Sequence, residues 1–155
     1  LPGRETEFRD SLTQTFDYAR EIGAGAVHVM AGKPGDVASS VWKPLLVENL
    51  RLAAQRANGL RVLIEPLNTT DNPGYAYGTL AQANQIREAI ASEAVCLMFD
   101  AYHEAMGGND PVASWRRAPA HWMPCPPPGF AAPKTAPYSW TWVCGSPMRV
   151  AADRD

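Results

Sequence analysis

The chain has no run of 18 consecutive apolar residues, so nothing in it reads as a membrane-spanning helix. It also has no cluster of lysine and arginine. Its 14 basic and 16 acidic residues leave a net charge of -2, no electrostatic footprint for nucleic acid or an anionic membrane surface. Cysteine is scarce: Cys96, Cys125 and Cys144 are an odd number without CxxC spacing, which argues against a disulfide framework and against a zinc knuckle. A reducing, cytoplasmic setting is the expectation. The N-terminus shows no charged-then-apolar leader and opens on Leu1 rather than Met, so a piece of a longer polypeptide is expected. Small-molecule chemistry and protein contacts remain, in 155 residues whose 46% hydrophobic content is ordinary for a packed core.

What is present is a set of short apolar runs that end in polar groups. Arg61-Val62-Leu63-Ile64 runs into Glu65, and Val95-Cys96-Leu97-Met98-Phe99 runs into Asp100. A strand without polar alternation is buried on both faces, as in a parallel sheet covered by helices, and such sheets bind ligands beyond the carboxyl ends of their strands. An acid placed there is costly unless it is used. A third run, Ala26-Val27-His28-Val29-Met30, precedes these at the same interval, since 65 − 30 = 35 and 100 − 65 = 35. The regular spacing implies repeated βα units around a parallel sheet.

The intervening segments have helical periods. Phe8, Leu12, Phe16 (or Ala19) and Ile22 recur at steps of three or four or their multiples, predicting a helix over about Glu5 to Ile22 with Gly23 at its end. Leu46, Leu50, Ala53, Ala54 and Ala57 make a second apolar face that stops at Asn58-Gly59, with Pro44 as a first turn or kink. Thr79 with Gln82 three residues on has the form of a capping box, opening a third helix that carries Leu80, Ala83, Ile86 or Arg87, and Ile90. The character changes after residue 113. Eight of the 14 prolines and four of the five tryptophans fall in 114–155, where the only acids are Asp153 and Asp155. Pro124-Cys125-Pro126-Pro127-Pro128-Gly129 predicts irregular backbone, because proline removes amide donors and fixes φ. The reading is therefore two parts, βα units over 1–113 and an irregular Pro/Trp-rich tail over 114–155. Such a break is what a GC-rich coding segment would encode out of frame from near Asp110 to Arg117.

With these features in place, four stretches in order resemble the hydroxypyruvate isomerase family of the xylose isomerase-like TIM barrels. They are Leu1-Pro2-Gly3-Arg4-Glu5 with Glu7-Phe8-Arg9; Val47-Glu48-Asn49-Leu50-Arg51; Ile64-Glu65-Pro66-Leu67-Asn68 followed by Asp71-Asn72-Pro73-Gly74-Tyr75; and Phe99-Asp100-Ala101-Tyr102-His103. The resemblance covers roughly 1–113 and implies an α/β chain forming part of a (β/α)₈ barrel, about three βα units from its fourth to sixth strands. It implies Glu65 as the catalytic carboxylate that also faces a metal, Asp100 as a metal ligand, and His103 and Asn68 as substrate contacts. The implied cofactor is a divalent cation, Mg²⁺ or Mn²⁺, since oxygen-rich donor sets favour these hard ions. The implied reaction interconverts hydroxypyruvate and tartronate semialdehyde, with a small hydroxy-oxo acid as substrate. The family pattern also has a polar group on a seventh strand and a Glu on an eighth. His121 is the tail's one histidine and no glutamate follows, so part of the site has no counterpart in this sequence.

Each residue has a plainer reading. Set against the site roles, Glu65 has a reading as an exposed strand-end acid, Asp100 as the N-cap of a following helix, and His103 as a surface or capping histidine. His28, inside Val27-His28-Val29, reads as a satisfied interior histidine rather than a ligand. Ala31-Gly32-Lys33-Pro34-Gly35 lacks the GxxxxGK[ST] pattern of a phosphate loop and reads as a solvated connection. The competing functions are an isomerase of a four-carbon 2-oxo acid sugar (a 2-oxo-tetronate), which would use the same residues, and a non-catalytic half-barrel that completes another chain. Three βα units cannot close a barrel of about 250 residues, so self-association through open strand edges is a further expectation.

Overall fold

The computed structural model describes residues 3–117 and 122–125. The helical and strand patterns become α1 (Glu5–Glu21), β1 (Ala26–His28), α2 (Ser39–Arg56), β2 (Arg61–Ile64), α3 (Leu80–Ile90), β3 (Val95–Asp100), α4 (Ala101–Met106), α5 (Pro111–Arg116) and β4 (Trp122–Cys125). The four strands are all parallel and lie in sequence order, β1-β2-β3-β4. Among the described residues the sheet is open, with β1 and β4 each paired on one side only. Three βα units plus a fourth strand are thus an arc of a parallel barrel.

Alternation along the strands separates two faces. Val27, Val62, Ile64, Val95 and Leu97 join one large buried cluster with Leu12 and Phe16 of α1, Leu50 and Ala53 of α2, and Ala83, Ile86 and Ile90 of α3. Ala26, Leu63, Cys96 and Met98 face the other way and form a smaller buried cluster. Burying both faces is why these strands read as unbroken apolar runs. Cys96 is a buried free thiol.

Helix boundaries follow their local chemistry. The Thr79 side chain accepts a hydrogen bond from the Gln82 amide at 3.2 Å, while Gln82 Oε1 accepts from the Gly78 amide at 2.8 Å, so two amides at the start of α3 are satisfied reciprocally. After α1 the chain turns at Gly23, whose φ is +70°, and after α2 it turns at Asn58 and Gly59, both at positive φ. α3 ends less comfortably, on Ala91 at φ 56° and ψ 48°, a left-handed conformation that crowds a Cβ.

β4 differs from the expectation of irregular backbone around Pro124-Cys125. Met123, Pro124 and Cys125 pair with Met98, Phe99 and Asp100 of β3. A strand with a neighbour on one side only tolerates a proline whose ring nitrogen needs no partner on the outer side. α5 likewise runs across the composition break at 113/114. The remainder of the tail, including the Pro126-Pro127-Pro128 run, His121 and Cys144, lies outside the described residues.

Candidate active site at the strand ends

Glu65 is the first residue beyond β2, and Asp100 is the last of β3. Alternation puts both on the face of Leu63, Cys96 and Met98. Ligand atoms of Glu65, Asp100 and His103 all lie within 4.8 Å of one another. Three of the four residues singled out from the sequence are therefore together at one strand-end mouth, and Asn68 touches the third: His103 Nδ1 is 3.2 Å from the Asn68 amide and 2.8 Å from Asn68 Nδ2.

The plainer readings resolve in different ways. Glu65 is not an exposed strand-end acid, since only 7% of it is accessible. Asp100 does cap a helix, with Oδ1 accepting from the Tyr102 amide at 2.8 Å. Capping uses that one oxygen and orients the carboxylate beside Glu65. His103 is half-buried in the first turn of α4 and bound to the β2–α3 loop rather than free on the surface.

Electrostatics at this mouth are set by burial. Glu65 is pushed up to about 8, first by loss of water and second by the like charge of Asp100. His28, one strand away, is pushed down to about 4 by burial. Its Nδ1 lies 3.8 Å from Glu65 Oε2, yet with both groups in their neutral forms this contact is not an ion pair near pH 6. His28 is not the satisfied interior residue expected: its Nε2 is buried without a hydrogen-bond partner. The Tyr77 hydroxyl, also buried, is in the same condition, and burial raises its pKa. Its neighbour Tyr75 accepts a hydrogen bond from the Ala31 amide at 3.0 Å, tying the loop after β1 to the loop after β2.

Sequence reasoning missed one network. Asn68 Nδ2 donates to Asp71 Oδ2 at 3.0 Å, the Asp71 amide donates to Asn68 Oδ1 at 2.9 Å, and the Tyr102 hydroxyl donates to Asp71 Oδ2 at 2.7 Å. The hydrogen bonds from Tyr102 and then Asn68 hold the Asp71 carboxyl below its ordinary range. The signal for it was the Asn68-x-x-Asp71 spacing, which suits mutual side-chain to backbone bonding in a turn. A separate cavity of about 140 Å³, bordered by Phe8, Met30, Trp42 and Leu46, carries no carboxylate, histidine, lysine or arginine. Among the described residues, the cluster of three carboxylate and histidine groups close enough to hold a cation is the one at the strand ends.

Comparison with known proteins identifies the fold. The chain is 39% identical over 106 residues to a 2-oxo-tetronate isomerase of Cupriavidus necator, covering 66% of this chain and 41% of that protein. It is 35% identical over 106 residues to hydroxypyruvate isomerase of Escherichia coli, with the same coverage of each. Among solved structures, an AP endonuclease of family 2 from Brucella melitensis superposes with a TM-score of 0.75 at 27% identity, covering 79% of this chain and 48% of that one. The chain thus spans about two fifths of the length of these curated relatives. A family model described as xylose isomerase-like TIM barrel matches residues 1–123, past the composition break. Parallel strands in sequence order with helices between them are the parts of that fold this sequence encodes, and the chain belongs to the xylose isomerase-like TIM barrel family.

Proposed function

We propose that the strand-end mouth is the proton-handling and cation-binding half of an isomerase of small hydroxy-oxo acids, interconverting hydroxypyruvate and tartronate semialdehyde. The observation that carries this reading is the buried Glu65 carboxyl, raised to about 8 and facing Asp100 and His103 within 4.8 Å. A carboxyl poised near neutrality is what a base that must accept and return a proton requires.

The donor set fits a hard divalent cation. Glu65 and Asp100 would supply carboxylate oxygens to it, and its positive charge would offset the burial and the like charge of Asp100 that make Glu65 hard to ionise. Mg²⁺ and Mn²⁺ are the proposed ions; when bound, such a cation supplies Lewis-acid polarisation of the substrate's oxygens. Glu65 accepts a proton from the hydroxymethyl carbon of hydroxypyruvate and delivers one to the neighbouring carbonyl carbon, while the hydroxyl proton passes from the hydroxymethyl oxygen to the former carbonyl oxygen, which gives the aldehyde and the new hydroxyl of tartronate semialdehyde. Asp100, fixed by its capping bond to the Tyr102 amide, would hold the ion with its other carboxylate oxygen. His103 contacts the substrate's polar end, and Asn68 orients His103. Two carboxylates make half a site. The reading requires further donors from strands beyond the open edges of β1 or β4, in the same polypeptide or in another copy.

A second reading, isomerisation of a 2-oxo-tetronate, is favoured by the 39% identity to an enzyme of that name. It uses the same residues and differs in the length of the substrate. Cleavage of abasic DNA, suggested by the name of the Brucella structure, is not favoured, because a net charge of -2 without a basic cluster gives no grip on phosphates.

The test is a coupled assay on hydroxypyruvate and on a 2-oxo-tetronate, with and without Mn²⁺, comparing the chain with Glu65→Gln. Manganese-dependent turnover that falls at least about 10²-fold in the variant is expected, the scale of a positioned base. Activity that survives the substitution removes Glu65 from its role. A second polypeptide that co-purifies, with no turnover in either alone, would make this chain a non-catalytic half-barrel.

A further inference from the structure

His103 stands where one ring nitrogen, Nδ1, is assigned by its neighbours. Nδ1 receives two N–H groups, the Asn68 amide at 3.2 Å and Asn68 Nδ2 at 2.8 Å. A backbone amide can only donate. The orientation of the Asn68 side chain is set independently, since its oxygen accepts from the Asp71 amide and its nitrogen donates to Asp71 Oδ2. Rotating that amide would break both contacts and set oxygen against carboxylate. Asp71 is in turn held by the Tyr102 hydroxyl at 2.7 Å, one residue before His103 on α4. The ring therefore faces two donors whose polarity its neighbours fix.

In a neutral imidazole, one nitrogen accepts and the other carries the proton. With Nδ1 accepting, the proton lies on Nε2. We infer that Asp71, acting through Asn68 and Tyr102, is a positioning residue that locks His103 in the Nε2-protonated tautomer, so that His103 is a hydrogen-bond donor to an oxygen-rich ligand and not a ligand to the cation. Neither nitrogen offers a free lone pair: Nδ1 is occupied and Nε2 is protonated. A histidine that ligates through Nε2 needs a proton on Nδ1 and an acceptor facing it, the reverse of what Asn68 presents. The geometric cluster of Glu65, Asp100 and His103 thus divides by chemistry, with two carboxylates for the ion and one N–H for a substrate oxygen.

This inference rests on the proposed function for what the N–H is used for, but the tautomer stands apart from turnover. The test is a long-range ¹H–¹⁵N correlation spectrum of the ¹⁵N-labelled full chain, recorded about two pH units above the ordinary histidine pKa of about 6.5. His103 is assigned by the signals lost in His103→Gln. The expected result is a single Nε2–H pattern for His103, unchanged in Asp71→Asn, whose side-chain carbonyl still accepts from Asn68. In Asp71→Ala a several-fold rise of the Nδ1–H form is expected, with an intermediate rise in Tyr102→Phe, a change at an exposed side chain. An Nδ1–H pattern in the unsubstituted chain overturns the inference, as does a pattern in Asp71→Ala identical to the parent. Added Mg²⁺ should leave both ring nitrogens without a coordination shift, and such a shift also overturns it. If Mg²⁺ causes no change at Glu65 or Asp100 either, the proposed function is what fails, while the tautomer result still decides the role of Asp71.

Discussion

The environment of Glu65 and His28 makes the stability of this chain depend on pH in a specific shape. The Glu65 carboxyl rises from its ordinary 4.5 to about 8 on folding, so the folded state holds a proton that the unfolded state has released. Its contribution is complete below pH 4.5 and is lost as pH rises through 8. His28 moves the opposite way, from 6.5 to about 4, so its contribution is complete above pH 6.5 and is lost as pH falls through 4. Between about 4.5 and 6.5 the folded pair and the unfolded pair hold the same number of protons, one each, and the two slopes cancel. Above 6.5 only Glu65 acts.

The magnitude follows from the width of that upper window. From 6.5 to 8 is 1.5 pH units, and each unit carries at most about 1.4 kcal/mol per proton, so stability falls by about 2 kcal/mol. With a urea dependence of about 2 kcal/mol per molar, the midpoint drops by about 1 M. The assay is a series of urea unfolding curves across pH, followed by far-UV circular dichroism, on the parent chain and Glu65→Gln. The parent should be flat and then fall above pH 6.5. The variant should lose that fall and show the His28 rise between about 4 and 6.5 that Glu65 had masked. Equal decline of parent and variant above pH 6.5 would refute the reasoning, because the proton would then belong to another group.

Three further outcomes use the same curves. Asp100→Asn keeps a good N-cap for α4 but removes the like charge beside Glu65, so the upper end of the decline should move below pH 8 with little change at pH 5.5. Ala91→Gly relieves a left-handed backbone at φ 56° and should raise stability by about 0.5–1 kcal/mol, seen as a higher midpoint at constant slope. Leu50→Ala empties a fully buried position at the centre of the large cluster and should cost about 2–5 kcal/mol, a loss of most or all of the cooperative transition.

The parts of the fold that were legible are those dictated locally. Thr79 with Gln82, Gly23, and Asn58-Gly59 mark helix ends because capping and positive φ are properties of a few adjacent residues. The parts that were not legible depend on what stands opposite. β4 was hidden because Pro124 forbids a central strand but not one paired on a single side, and no sequence pattern says which side is paired. The contact of His28 with Glu65, and the tie from Asp71 to Tyr102 across 31 residues, arise from segments brought together by the sheet.

The interval of 35 residues shows how a reading can be incomplete in register and still place the site. β1 pairs with β2 at an offset of 35, so Met30 is level with Glu65, but β2 pairs with β3 at an offset of 33. Glu65 is therefore level with Met98, and Asp100 stands two residues farther toward the strand's carboxyl end, a stagger of about 6–7 Å along the strand. An error of one residue would have turned Asp100 to the helix side of the sheet, into the cluster of Val95 and Leu97. An error of two preserves the face. The long Glu65 side chain reaches from one level and the shorter Asp100 carboxylate from the next, and they still come within 4.8 Å because both point to the inner face of the arc. That face, rather than the constant interval, makes the two acids neighbours, and any further donors to the site must come from strands that share it.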